Sequence, residues 1–251
     1  MFRKLKERRA RKRLRTNPEP GFRPMSGRHY HDVLIEVEKR IAPDWYVEIG
    51  SRTGTSIAHR SCSFVAIDPV FQIEADVFNS SHQMHFIQQT SDAFFASGFF
   101  EKLGILADFA FIDGMHQFEF ALRDFINLEK VMASDGLVFL HDVCPYDHSM
   151  AGREPSADMP GAWTGDVWKT IVILTELRPD LRVEVLNAAS TGLACVRTLD
   201  PQNTTLTDEY DAIVARYRDV SLADYGVEDY YRLVAPRDPD DFLAELSPRP
   251  S

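Results

Sequence analysis

The sequence has few cysteines, no long apolar run and, after its first residues, few basic side chains. Its three cysteines, spread over 251 residues, are too few and too far apart for a disulfide framework. No apolar run approaches the roughly 20 residues of a transmembrane helix, and the N-terminus lacks the apolar stretch of a secretory signal. We therefore expect a globular protein of the cytoplasm.

Positive charge is concentrated at the N-terminus. The net charge is −10, yet residues 1–15 carry +8 and the remaining 236 carry −18. An acidic body repels phosphates, so we expect no nucleic-acid partner. Two interpretations of the basic run stay open: a solvated arm, or attachment to an anionic membrane with Phe2, Leu5 and Leu14 as apolar anchors.

The Pro- and Gly-rich segment 17–21 indicates a linker. We therefore predict a flexible arm over 1–24, a ligand-binding domain over 25–200 and a polar, helical extension over 201–251. A helix capped by Ser26 is expected to begin the domain and to end before Pro43, because its apolar residues recur at intervals of three and four.

Short apolar runs alternate with helical patterns from Trp45 onward. This alternation predicts an α/β fold with a doubly wound, Rossmann-like, mostly parallel sheet. Leu181–Asn187 and Gly192–Arg197 predict an antiparallel edge pair, which gives seven strands. The other predicted strands are Trp45–Ile49, Phe64–Ile67, His85–Gln88, Phe109–Ile112 and Leu137–Leu140, and the helices Gly54–Arg60, Ser91–Lys102, Gln117–Val131 and Asp166–Leu177.

Glycines and carboxylates follow the first two predicted strands. Gly50 and Gly54 allow a tight turn close to a ligand, and Asp68 is placed to accept hydrogen bonds from a ribose diol. A dinucleotide-binding loop would carry G-x-G-x-x-G, but Arg52 stands where its middle glycine belongs. Glu48 repels a pyrophosphate and suits an ammonium group, which favours an amino-acid-bearing cofactor.

The stretch Glu48-Ile49-Gly50-x-x-Thr53-Gly54-x-Ser56 resembles the first motif of class I S-adenosylmethionine-dependent methyltransferases. Phe111–His116 and Gly136–Asp142 resemble strand ends of the catechol-type branch, especially the macrolide-sugar O-methyltransferases and methyltransferase domain family 24. The resemblance spans about residues 45–197, and Arg52 departs from its usual small residue. It implies S-adenosylmethionine as cofactor, bound by Glu48, Gly50, Ser51, Thr53, Gly54, Ser56, Asp68, Ser91, Asp92 and Asp113. A helix N-cap is an equal interpretation of Ser91-Asp92.

Four polar residues follow the fourth and fifth predicted strands: Asp113, His116, His141 and Asp142. Adjacent parallel strands end about 5 Å apart, so these side chains can share one site. The resemblance implies Asp113, His141 and Asp142 as ligands of a divalent metal, and His116 as catalytic base beside Asp113. His141 replaces the family's usual acidic residue, which favours manganese, iron or zinc over magnesium. The alternative is that the carboxylates are caps and His141 is a core residue.

These features predict an O-methyltransferase acting on a hydroxyl of a small molecule, sugar or glycan. An aliphatic hydroxyl titrates near ~15.7 and histidine near ~6.5, so a divalent cation has to lower the hydroxyl's pKa. A catalytically silent cofactor-binding module and a nucleotide-dependent oxidoreductase remain alternatives, and a homodimer is left open. A zinc site with Cys144 and His148 matches no common spacing. We expect Trp163 to contact the acceptor and Trp168 to belong to the core.

Overall fold

The structure is a computed structural model and describes residues 19–78, 83–156 and 162–248. The basic run of the predicted N-terminal arm, with Phe2, Leu5 and Leu14, lies outside the described residues. Within them, no helix has the length and apolar character needed to cross a membrane.

A seven-stranded sheet in the order β3-β2-β1-β4-β5-β7-β6 forms the centre of the fold. Its first five strands are parallel, whereas β7 runs antiparallel to both β5 and β6. The predicted α/β fold with a Rossmann-like, mostly parallel sheet and an antiparallel edge pair is therefore confirmed. The strands are β1 Trp45–Ile49, β2 Ser63–Ile67, β3 Met84–Ile87, β4 Ala107–Ile112, β5 Met132–His141, β6 Arg182–Leu186 and β7 Leu193–Arg197.

Helices cover both faces of the sheet, which explains why the central strands are apolar along their whole length. In β1, Tyr46 faces a core shared with α1 and α10, whereas Val47 faces a core shared with α4 and α5. The helices are α1 Tyr30–Ile41, α2 Ser91–Phe95, α3 Phe99–Leu103, α4 Phe118–Glu129, α5 Trp168–Leu177, α6 Thr205–Asp208, α7 Tyr210–Tyr217, α8 Leu222–Tyr225, α9 Val227–Val234 and α10 Pro239–Glu245.

The start of α1 differs from the prediction. His29, not Ser26, is its N-cap, because the His29 ring accepts a hydrogen bond from the backbone N–H of His31 at 3.3 Å. Ser26 instead lies on an extended segment, where its own N–H donates to the side chain of Asn187 at 2.8 Å. The helix ends at Ile41, just before Pro43, as expected.

Two other predicted helices are shorter than expected. Between Gly54 and Arg60 only the 3-10 turn Ile57–His59 forms, and Gly54, with a φ of +79°, lies outside it. The predicted helix Ser91–Lys102 is divided into α2 and α3 at Gly98, whose φ of +65° cannot continue a right-handed helix. The second error therefore comes from a glycine inside the helical pattern.

The C-terminal extension is helical, as predicted, and packs back onto the sheet layers. Tyr230 and Tyr231 of α9 are fully buried against the same core as α5. Phe242 and Leu243 of α10 are buried on the opposite face, beside α1. The extension therefore covers the antiparallel edge of the sheet from both sides.

Candidate active site

A cleft of about 1080 Å³ lies beyond the carboxyl ends of the parallel strands. Its walls come from the loops after β1, β2, β3, β4 and β5, together with the start of α1 and one face of α4. This is the position at which open α/β sheets bind ligands.

The loop after β1 is pressed against the end of β4. Gly50 has a φ of +94°, and a Cβ there would lie 2.1 Å from the carbonyl oxygen of Asp113. Gly54 has a φ of +79°, and its Cβ would lie 2.8 Å from Val77. Both positions need glycine, as the sequence indicates. Gly50, Ser51 and Thr53 line the cleft.

Asp68 lies at the end of β2, as predicted, and faces the cleft. One carboxylate oxygen accepts the backbone N–H of Arg52 at 2.9 Å and the other accepts that of Val70 at 2.7 Å. Each oxygen keeps a further lone pair, so the carboxylate is oriented by the protein and still able to accept from a diol.

Glu48 lies behind the wall of the cleft. It shares the Tyr46 face of β1 and accepts hydrogen bonds from the hydroxyls of Tyr46 and Ser56, each at 2.5 Å. Burial raises the pKa of this carboxyl. Ser56, which lines the cleft, stands between Glu48 and the ligand space. Direct contact between Glu48 and a methionine ammonium therefore stays a prediction, and Ser56 is the residue through which Glu48 reaches the cleft.

The four predicted residues at the ends of β4 and β5 come together. His141 Nδ1 lies 3.3 Å from Asp113 Oδ1 and 3.5 Å from Asp142 Oδ1. The ligand atoms of Asp113, His141 and Asp142 all lie within 4.8 Å of one another. These three residues form a group of two acids and one imidazole in a largely buried corner, and their role as metal ligands stays a prediction.

His116 stands at the rim of this group. Its Nδ1 is 2.7 Å from the carbonyl oxygen of Trp163, and a carbonyl only accepts, so Nδ1 carries the hydrogen. Nε2 then faces Asp142 at 3.3 Å and Asp113 at 3.5 Å. Burial opposes protonation of the ring, but the two carboxylates outweigh it and raise the pKa of His116 to about 9.

Two residues that the sequence did not indicate complete the corner. Thr191, which lies just before β7, donates its hydroxyl hydrogen to Asp142. The ring of Tyr30, in the first turn of α1, lies over His141 with the centroids 3.8 Å apart. Asp142 itself has a φ of +61°, a conformation that side-chain-bearing residues rarely adopt. Neither Thr191 nor Tyr30 belongs to a motif, because each comes from a segment that is distant in the chain from the ends of β4 and β5.

The far end of the cleft holds the predicted pair Ser91 and Asp92. Thr90, not Ser91 or Asp92, is the N-cap of α2, since its hydroxyl accepts the N–H of Ala93 at 3.3 Å. Asp92 forms a two-point ion pair with Arg123 of α4, at 2.6 and 2.7 Å. Phe120 and the buried Asp124 also line this end, and sequence reasoning missed both.

Trp163 lines the cleft and donates from its indole N–H to the carbonyl of Gly152 at 2.6 Å, and its contact with an acceptor stays a prediction. Trp168 is buried in the core, also as predicted. Cys144 is buried and would clash with a Cβ at Gly192. Within the described residues the only metal-capable group of three or more is the Asp113–His141–Asp142 set, which contains neither Cys144 nor His148.

The strand order, the glycine loop after β1 and the acid after β2 define a class I methyltransferase fold with a cofactor cleft. Residues 47–143 match a family model described as a methyltransferase domain, and this range contains the glycine loop and Asp68. The predicted resemblance to a class I methyltransferase is confirmed by this match. The search of curated proteins found no match to this sequence.

Solved structures of methyltransferases are similar to this chain at low sequence identity. The methyltransferase PaMTH1 of Podospora anserina, solved with S-adenosylhomocysteine, is 14% identical, with 78% of this chain and 88% of that chain covered and a TM-score of 0.49. The O-methyltransferase TomG of Streptomyces achromogenes is 13% identical, with 68% and 80% covered and a TM-score of 0.45. An O-methyltransferase of Bacillus cereus is also 13% identical, with 66% and 78% covered and a TM-score of 0.42.

Proposed function

We propose that this chain is an O-methyltransferase that moves the methyl group of S-adenosylmethionine to a hydroxyl of a small molecule, sugar or glycan, with a divalent cation in the site. The observation that carries this proposal is the group at the strand ends. Asp113, His141 and Asp142 surround one point in the cleft, and His116 lies beside them. A pure binding module has no need for two acids and two imidazoles at this place.

The donor set fits a divalent cation. Ligand atoms on one ion at about 2.1 Å lie roughly 3 to 4 Å apart, and His141 Nδ1 lies 3.3 and 3.5 Å from the two carboxylates. One imidazole and two carboxylates suit manganese, iron or zinc, and suit magnesium less. A bound cation lowers the pKa of a coordinated hydroxyl and cancels the repulsion between the acids.

The protein's own groups then have separate roles. Asp68 orients the cofactor through its ribose, and Gly50 lets the backbone lie against the ligand. His116 is the proposed base: its Nδ1 is held by Trp163 and its Nε2 faces the two acids, whose negative charge a bound cation would offset so that the ring can be neutral. Thr191 fixes the carboxylate of Asp142 from behind. A sulfonium methyl is already activated, so alignment and deprotonation of the acceptor are the tasks left to the protein.

The test has a binding arm and a transfer arm. Metal-free protein is titrated with Mn²⁺ by calorimetry, and Asp142→Asn should weaken binding at least about tenfold, while Asp229→Asn, an exposed acid on α9, should not. Extracts are then incubated with methyl-labelled S-adenosylmethionine and searched by mass spectrometry for a labelled acceptor. Transfer that is indifferent to EDTA and to Asp142→Asn would remove the cation from the proposal, and label on nitrogen or carbon would remove the O-methyl assignment.

The basic run at residues 1–15 supports a further proposal, peripheral contact with an anionic membrane. Vesicles with phosphatidylserine should pellet the full chain at low salt and release it at high salt, whereas a chain without residues 1–18 should stay in solution. Equal, negligible pelleting of both would leave the arm as a solvated tail. A homodimer stays a prediction of the sequence.

A further inference from the structure

One end of the cleft is placed to recognise the base of the cofactor, if the chain has the proposed function. The methyl end of the cofactor has to lie near the acids after β4 and β5, and Asp68 after β2 marks the ribose. The base therefore lies at the opposite end of the cleft, on the side of β3 and α2. The residues that line this end are Thr90, Ser91, Asp92, Phe120 and Asp124.

Asp124 and Phe120 lie one turn apart on the cleft-facing side of α4. Asp124 is only 3% exposed, and its carboxyl reaches beneath Gly114, where an added Cβ would lie 3.7 Å from Oδ2. The hydroxyl of Ser91 forms a hydrogen bond with it. A carboxyl that shares a hydrogen bond with one hydroxyl still has capacity to bond with a ligand in the cleft.

Asp92, the acid that the sequence indicates for this end, is already occupied. Arg123 holds both of its oxygens, and the same guanidinium donates to the hydroxyl of Tyr210 at 2.9 Å. This ion pair belongs to the packing of α2 on α4, and it fixes Asp92 at the rim. The other acid that lines this end of the cleft is Asp124.

Two charged groups act on Asp124. One is Asp92, which belongs to α2, and the other is Arg123, which directly precedes Asp124 in α4. Ser91 from α2 and Gly114 from the loop after β4 are uncharged neighbours. Burial and, to a smaller extent, Asp92 raise the pKa of Asp124 to about 7. The neutral carboxylic acid is therefore populated here near neutral pH, and it has both a donor and an acceptor.

We propose that Asp124, as a carboxylic acid, reads the adenine edge of S-adenosylmethionine, while the ring of Phe120 covers a face of the base. The O–H donates to the ring nitrogen beside the amino group, and the carbonyl oxygen accepts from that amino group. This two-point pairing is the one that an asparagine side chain makes with adenine. It selects adenine over hypoxanthine, which has an oxygen in place of the amino group.

Calorimetric titration of the full chain with S-adenosylhomocysteine and with S-inosylhomocysteine tests this proposal. At pH 6 the native protein should prefer the adenine ligand by about 5- to 150-fold, the usual range for a two-point base contact. Asp124→Ala should reduce that preference to about twofold or less. Asp124→Asn, which keeps the volume, the donor and the acceptor, should retain most of it, so a loss in Asp124→Ala can be separated from misfolding.

The pH dependence provides the second readout. Between pH 6 and pH 9 the native preference should fall several-fold as the acid ionises, whereas that of Asp124→Asn should stay level. Equal weakening of both ligands in Asp124→Ala would make Asp124 a packing residue, and a level native profile would overturn the acid form. If the native protein binds neither ligand, the methyltransferase proposal falls as well; if it binds both and only the preference is unchanged, this inference alone is wrong.

Discussion

The hydroxyl of Tyr230 in α9 donates a hydrogen bond to the carbonyl oxygen of Val143 at 2.5 Å. Both residues are fully buried, and Val143 directly follows Asp142, whose backbone has a φ of +61°. The neighbouring Tyr231 donates in the same way to Pro145 at 2.8 Å. The C-terminal extension thus holds the loop that carries a proposed metal ligand.

Tyr230→Phe should therefore lower the free energy of unfolding by about 1 to 3 kcal/mol, because it removes the donor from a buried carbonyl. It should also weaken Mn²⁺ binding, since Asp142 would lose part of its support. Urea unfolding and calorimetry measure the two effects. Tyr225→Phe is the matched control: its ring lies 6.5 Å from that of Tyr230, and it is only half-buried. Equal effects of both changes would contradict the special role of Tyr230.

His116→Ala should reduce turnover by about 10² to 10⁴-fold, the usual contribution of a general base. Affinity for S-adenosylhomocysteine should change by less than about threefold, because His116 faces the acids and not the adenine end of the cleft. Turnover is measured on the acceptor found by labelled transfer. His59→Ala removes an exposed histidine outside the cleft and should behave like the native protein. A matched loss of cofactor affinity would assign His116 to cofactor binding instead.

Gly165→Ala should disturb the site far more than Gly104→Ala. Both glycines have a left-handed φ, +60° and +64°, so both variants carry a backbone cost of roughly 1 to 2 kcal/mol. A Cβ at Gly165 would also lie 1.5 Å from the carbonyl oxygen of His116, whereas the space around Gly104 is open. Gly165→Ala should have both a lower free energy of unfolding in urea and a lower turnover than Gly104→Ala. Equal values for the two variants would show that the loop can accommodate the added Cβ without displacing His116.

Asp124→Asn should change how stability depends on pH. The pKa of Asp124 is about 7 in the folded protein against an ordinary ~3.9, so between these values the folded state holds a proton that the unfolded state has released. The native protein therefore loses stability as pH rises from about 4 to 7, up to roughly 2 to 4 kcal/mol from this group. Asp124→Asn should not show this loss of stability, because its amide does not titrate. Urea unfolding at pH 5 and pH 8 measures the difference, and parallel curves would disprove the shifted pKa.

The sheet could be predicted because burial on both faces leaves a direct record in the sequence. β1, β2, β4 and the end of β5 are apolar runs, and acids or glycines follow where each strand meets the cleft. The proximity of Asp113, His141 and Asp142 followed from the edge that their strands share. The points at which a helix ends inside a helical pattern were harder to predict, although Gly98 marked one of them in the sequence.

The other parts of the site depend on contacts between distant segments, which no local pattern records. Tyr30 lies over His141 from the first turn of a helix that reads as an ordinary amphipathic one. Arg123 reaches Asp92 across 31 positions, and this pairing decides which acid stays available for a ligand. Glu48 was expected to face the cleft, yet the alternation of β1 turns it to the side of Tyr46.

The position of β7 has a consequence for the growing chain. In the sheet β7 lies between β5 and β6, although β6 is made first. While the polypeptide leaves the ribosome, β6 therefore has no partner strand until residues 193–197 follow it. Thr191, which directly precedes this segment, is the residue that donates to Asp142. The group around Asp142 is therefore completed by a residue made about 50 positions after it, next to the strand that closes the sheet.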